Sequence, residues 1–220
     1  MTRILQFGIG ERYHCYNRGV DKRVTFLDNQ DIKRFVSLLY LANDSSSIDL
    51  RGIDLLSKAF SHVRKEQLVA IEAYALMPNH YHLVLREIRE GGISTFMQKL
   101  GTAYTKYFNV KYGRVGNLFV KPFRAKHVPD DRYFQHLVRY IHLNPAELFE
   151  RSFKEGKVLD RDALEQNLLE YPHSSLLDYV GGNRSERAIL NPEVFGVVQH
   201  ISLQELIQNA AEYYAEFVEE

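Results

Sequence analysis

From Leu68 to Glu87 the chain carries two strand-like apolar runs, Leu68 to Leu76 and His80 to Glu87, parted only by Met77-Pro78-Asn79. So short a break makes an antiparallel hairpin. Helical patterns lie on both sides of it, which commits the chain to a layer of helices on an antiparallel sheet. In the second run His80 and His82 stand two residues apart. Side chains at i and i+2 of a strand project from one face, so two imidazoles can close on one metal ion while Tyr81 points the other way.

A histidine pair by itself is more often a pair of partly buried hydrogen-bonding groups than a metal site. A second pattern shifts that balance. Phe134, Leu137, Val138 and Ile141 recur at helical spacing and lead into Tyr140-Ile141-His142-Leu143-Asn144-Pro145. Tyr140 and Asn144 are i and i+4, one turn apart on one helix face, and Pro145 disfavours continuation of the helix. A phenol nucleophile and an amide oxygen can thus face a metal held by the two histidines. Tyr104, Tyr107 and Tyr133 lack the asparagine one turn on and the proline behind it, and read as core or stacking residues.

Periodicity sets the order of elements. A first strand runs from Tyr13 to Arg18, and Asp28-Asn29-Gln30-Asp31 starts a helix with its apolar stripe at Ile32, Phe35, Val36, Leu38 and Leu39. Residues 44–66 read as a surface insertion with one short helix, opened by the polar run Asn43 to Ser47. After the hairpin, Gly91-Gly92 precedes a helix to about Asn109; a strand at about Phe123 to Val128 and a helix from Asp130 to Asn144 follow. The order β-α-β-β-α-β predicts an α+β fold, a ferredoxin-like split βαβ with an antiparallel sheet and helices on one face. Residues 1–146 form that domain, and residues 147–220 a C-terminal helical extension.

The chain resembles the HUH single-tyrosine transposases, in particular the REP-associated and insertion-sequence members. The resemblance rests on Tyr13-His14-Cys15-Tyr16-Asn17-Arg18-Gly19, on Leu76-Met77-Pro78-Asn79-His80-Tyr81-His82-Leu83-Val84 and on Tyr140-Ile141-His142-Leu143-Asn144-Pro145, and it covers about residues 11 to 180. It implies the same fold, His80, His82 and Asn144 as metal ligands, Tyr140 as nucleophile, and Mg2+ or Mn2+ as cofactor. Some relatives carry glutamine where Asn144 stands. Tyr81 departs mildly from a position that the motif requires only to be hydrophobic.

The formal net charge is zero, but it is unevenly spread. Nine lysines and arginines between Lys99 and Arg139 face only Asp130 and Asp131, a balance of +7; from Glu186 to Glu220 seven glutamates face Arg187, a balance of −6. The basic segment interleaves with Tyr104, Tyr107, Phe108, Tyr112, Phe119 and Phe123, a pattern suited to tracking a backbone and stacking bases. Single-stranded or hairpin DNA is the expected partner. Candidate DNA contacts are Asn17 and Arg18 after the first strand, Arg114 and Lys121 in the turn-rich stretch, and Arg124, Lys126 and His127 before the tyrosine helix. The lone cysteine, Cys15, excludes an internal disulfide and reads as a small buried hydrophobe. No apolar run reaches membrane-span length and Met1 to Phe7 does not resemble a signal peptide, so the cytoplasm is the expected location. Monomer and homodimer stay equally open.

These residues suit attack on a phosphodiester. The nucleophile must lie in line with the leaving oxygen, and a divalent ion stabilises the non-bridging oxygens. The expected activity is metal-dependent single-strand DNA cleavage and strand transfer through a 5′-phosphotyrosine. Two alternatives are a catalytically silent nucleic-acid-binding protein on this fold and a metal-dependent phosphoesterase that uses the histidines without a covalent tyrosine.

Overall fold

The computed structural model describes residues 6–47, 58–198, 202–210, 213, 214 and 217. Strand β1 (Arg12–Arg18) is followed by helix α1 (Asn29–Leu41), the hairpin of β2 (Val69–Met77) and β3 (His80–Glu87), helix α2 (Gly92–Lys111), strand β4 (Arg124–Val128) and helix α3 (Asp131–Leu143). The sheet order is β2-β3-β1-β4 and every pairing is antiparallel, the expected split βαβ arrangement. Helix starts follow local chemistry. Asp28 and Asp130 cap α1 and α3 by accepting from the backbone N–H three residues on.

The period of two sorts the sheet into faces. Tyr13, Cys15, Tyr81, Leu83 and Leu85 pack under α1 and α2 with Phe35, Phe96 and Tyr104. Ala73, Ala75 and Val84 point to the other face, under α3. The paired helices of the βαβ unit thus cover one face, while α3 covers the other together with the extension: α4 (Ala146–Phe149), α5 (Arg161–Glu170), α6 (Leu176–Tyr179), α7 (Val194–Val197) and α8 (Leu203–Gln208). The extension is stitched to β2. Ser175 Oγ accepts from Tyr74 N at 2.9 Å, and Arg184 bonds the Asp178 carboxylate and the Tyr74 hydroxyl.

The ends of the expected 44–66 insertion are pinned. Asn43 Oδ1 accepts from Leu68 N and Val69 N, and Asp44 Oδ2 accepts from Lys65 N. A short 3-10 turn at Ala59–Ser61 belongs to it, and residues 48–57 lie outside the described residues, as do Met1 to Leu5 and parts of the last amphipathic stretch. Among the described residues no helix is long and apolar enough to cross a membrane.

Candidate active site

The two predicted histidines share the face that α3 covers. Their rings are 5.1 Å apart between centroids and nearly perpendicular. The β1–β3 register sets Tyr16 opposite His82 and His14 opposite Val84, so His14 reaches His82 diagonally across the strands. Its Nε2 lies 2.9 Å from His82 Nδ1, and both side chains are buried. His80 is half-buried, with Nδ1 2.6 Å from Asn79 Oδ1. The nitrogen of that amide donates to Lys22 O, which leaves Oδ1 as the end facing His80. An amide oxygen only accepts. His80 therefore carries its proton on Nδ1 and its lone pair on Nε2.

Burial brings the His82 pKa down to about 3, helped by the positive charge of Lys154. Burial also holds His14 well below the ordinary 6.5, with His82 and Lys126 adding to it. Both rings are neutral at pH 7. Neutral imidazole is the metal-binding form, and in the tautomer in which His82 Nδ1 donates to His14 the Nε2 lone pair of His82 is the one that can coordinate. The pair thus fits a divalent cation, each ring oriented by a partner on its far nitrogen.

Helix α3 brings in Tyr140, whose ring centroid is 5.9 Å from that of His82 and 6.4 Å from that of His14. Asn144 caps the C-terminus of α3 and is buried; its Nδ2 donates to Tyr140 O at 2.9 Å, so Oδ1 is the end that can coordinate. Among the described residues no group of three histidine, cysteine or carboxylate side chains is arranged to hold a metal ion. The donors that the sequence expectation offers a cation here are two imidazoles and an amide. Tyr140 is only 1% exposed, because Tyr214 and Phe217 pack on its ring at 5.3 and 5.0 Å.

Residues 22–144 match the family described as "Transposase IS200 like", more than half of the chain. The chain belongs to the IS200-like transposases. A solved structure described as a REP-associated tyrosine transposase bound to a REP hairpin shares its fold at TM-score 0.50 and 17% identity, over 92% of this chain and 99% of that one. No curated protein matches the chain.

A cleft of about 460 Å³ opens on this transposase beside His80. It gathers three of the sequence-predicted DNA contacts, Asn17, Arg18 and Arg124. Lys22, Tyr16, Glu147 and Lys154 join them there, and Glu147 and Lys154 form an ion pair. Lys121 lines a different cleft. The remaining candidates line neither: Lys126 is exposed on β4 opposite His14, His127 reaches Glu11 at 2.7 Å and packs on Tyr13, and Arg114 bonds Asn109 beyond the end of α2. Of the residues that sequence reasoning missed, His14 and Tyr16 carry the same two-residue period as His80 and His82. Glu147 stands one turn beyond Asn144, across the proline. Lys154 carries no local signal.

Proposed function

We propose that this chain is a metal-dependent single-strand DNA endonuclease and strand transferase that works through a covalent 5′-phosphotyrosine at Tyr140. The observation that carries the reading is the 5.9 Å approach of Tyr140 to His82, on the sheet face that also bears His80. Membership of the IS200-like transposases supports DNA breakage and joining as the reaction class. The hairpin in the solved neighbour's description supports a hairpin-bearing strand as substrate. Residues 1–146 form the catalytic unit in this reading, and residues 147–220 its cover.

His80 and His82 through Nε2, with Asn144 through Oδ1, would hold the cation, and this donor set suits manganese better than magnesium. When bound, it supplies charge stabilisation to the non-bridging oxygens and favours ionisation of the phenol. Arg18, Lys22 and Arg124 hold the strand by its phosphates. The Tyr140 oxygen loses its proton and bonds to phosphorus as the bond from phosphorus to O3′ breaks; the departing oxygen takes a proton to become a 3′-hydroxyl. The tyrosyl phosphodiester keeps the bond energy, so attack by another 3′-hydroxyl rejoins the strand and returns Tyr140.

Tyr140→Phe removes only the hydroxyl. The variant should fold and bind a hairpin-bearing strand, and the covalent adduct with a 3′-labelled strand should vanish; normal adduct yield would overturn the assignment. The burial of Tyr140 favours one other reading, the silent binding protein. Tyr214→Ala with Phe217→Ala separates the two, because uncovering the ring should raise adduct yield in an enzyme. A folded double variant that binds DNA with no adduct would point to the binding protein.

A further inference from the structure

Between α3 and the extension lies a cavity of about 220 Å³. Val138, Arg139 and His142 reach it from α3, at the spacing of one helix face. Most of the rest of its wall is apolar and comes from the extension, with Leu176, Val180 and Leu206 among the lining residues. An apolar cavity of about 150 Å³ takes a benzene ring, so on that scale this one has room for about nine non-hydrogen atoms. It is too small for a nucleotide.

Most polar groups in the wall are already engaged. Arg184 bonds both oxygens of the Asp178 carboxylate, at 3.0 and 2.6 Å, and so matches its charge. His142 Nε2 lies 2.8 Å from Ser175 Oγ, and the Tyr179 hydroxyl donates to Glu72 O. Arg187 donates to Asp178 O and lies over the Phe195 ring, 3.8 Å from its centroid. Arg139 differs. Its Nε is buried and has no hydrogen-bond partner among the described residues. A donor on a cation left in that state is costly, and a carboxylate is the group whose two oxygens fit a guanidinium. With Asp178 matched by Arg184, the charge left over at the cavity is that of Arg139 and Arg187, which is positive. The rings of Tyr179 and Phe195, 5.3 Å apart and tilted, offer a third ring the edge-on contacts that aromatic groups favour.

We propose that this cavity is a binding site for a small aromatic monocarboxylate, its ring among the apolar side chains and its carboxylate on Arg139. The walls belong to α3 and to the extension, so an occupant ties one to the other and stabilises the fold. The site stands apart from the DNA chemistry at Tyr140.

The test uses the full chain with three probes: phenylacetate, its neutral isostere phenylacetamide, and acetate, which has the charge without the ring. Calorimetry should give phenylacetate a Kd at or below about 1 mM, and at about 10 mM it should raise the melting temperature by about 3 °C or more. Phenylacetamide should bind about tenfold more weakly, the loss of one charged contact, and acetate should have no effect. Arg139→Gln should bring phenylacetate down to within about twofold of phenylacetamide while leaving phenylacetamide unchanged. Should Arg139→Gln not fold, nuclear Overhauser contacts in wild type from the phenyl protons to the methyl groups of Val138, Val180 and Leu206 must place the ring in the cavity. Wild type that fails to bind phenylacetate, or binds it no better than phenylacetamide, overturns the assignment. So does a folded Arg139→Gln that keeps the preference, or a ring whose contacts lie elsewhere on the protein.

Discussion

The two faces of the sheet are built to different rules. Under α1 and α2 the core is continuous and apolar, with Phe26, Phe35, Tyr81, Tyr104 and Phe119 in edge-on and tilted contact. Under α3 the buried set includes His14, His82, His142 and Asn144. The first face confines its buried polar groups, among them Asp31, Asn43, Asp44 and Glu87, to hydrogen bonds at helix and loop ends. The second gives up apolar burial to keep titratable and hydrogen-bonding groups at fixed positions, and it needs the extension to cover them. Strain on the two faces should therefore read out differently, as lost stability on one and lost site chemistry on the other.

The largest stability effect is expected on the first face. Phe35→Ala empties a fully buried ring position and should cost about 3–5 kcal/mol in urea unfolding. A loss under 1 kcal/mol would break the contrast. On the second face, His14→Phe removes the partner of His82 Nδ1 while keeping a ring. Manganese affinity measured by calorimetry should fall about 10–100-fold, with His14→Gln recovering part of it through its amide. Equal affinity in all three proteins would remove His14 from the site.

The smallest effect is a slope. Burial brings the His142 pKa down to about 3 from an ordinary 6.5, with the Arg184 charge adding to it, and His142 Nε2 sits 2.8 Å from Ser175 Oγ. The unfolded chain binds the proton more readily than the folded one, so this contribution is full above pH 6.5 and is lost as pH falls toward 3. Unfolding free energy should decline through that window, and His142→Gln should flatten the decline. An unchanged slope would mean that His142 does not stay neutral in the fold.

What could be read in the sequence was local. The two-residue period of His80 and His82, the caps Asp28 and Asp130, and the one-turn spacing of Tyr140 and Asn144 need only strand and helix geometry. Pairings across the fold were not legible. The approach of His14 to His82 depends on the β1–β3 register, and Glu147 and Lys154 reach the His80 cleft only because the chain folds back after Pro145. The cover over Tyr140 comes from residues more than seventy positions on. Among the basic candidates, charge alone could not tell the cleft-lining Arg124 from His127, whose side chain pairs with Glu11.

The stitch between Tyr74 and Ser175 joins residues 101 positions apart, and it bears on the order in which the molecule assembles. Closing so long a loop is slow compared with forming the β2–β3 hairpin and packing it under α1 and α2. A chain emerging from the ribosome can form most of its first face, all but the packing of Ile189 and Leu190 onto it, while the residues that close the second are still being made. The tyrosine face is then the last part of the protein to take shape, and refolding followed at Tyr140 should lag refolding followed at Phe35.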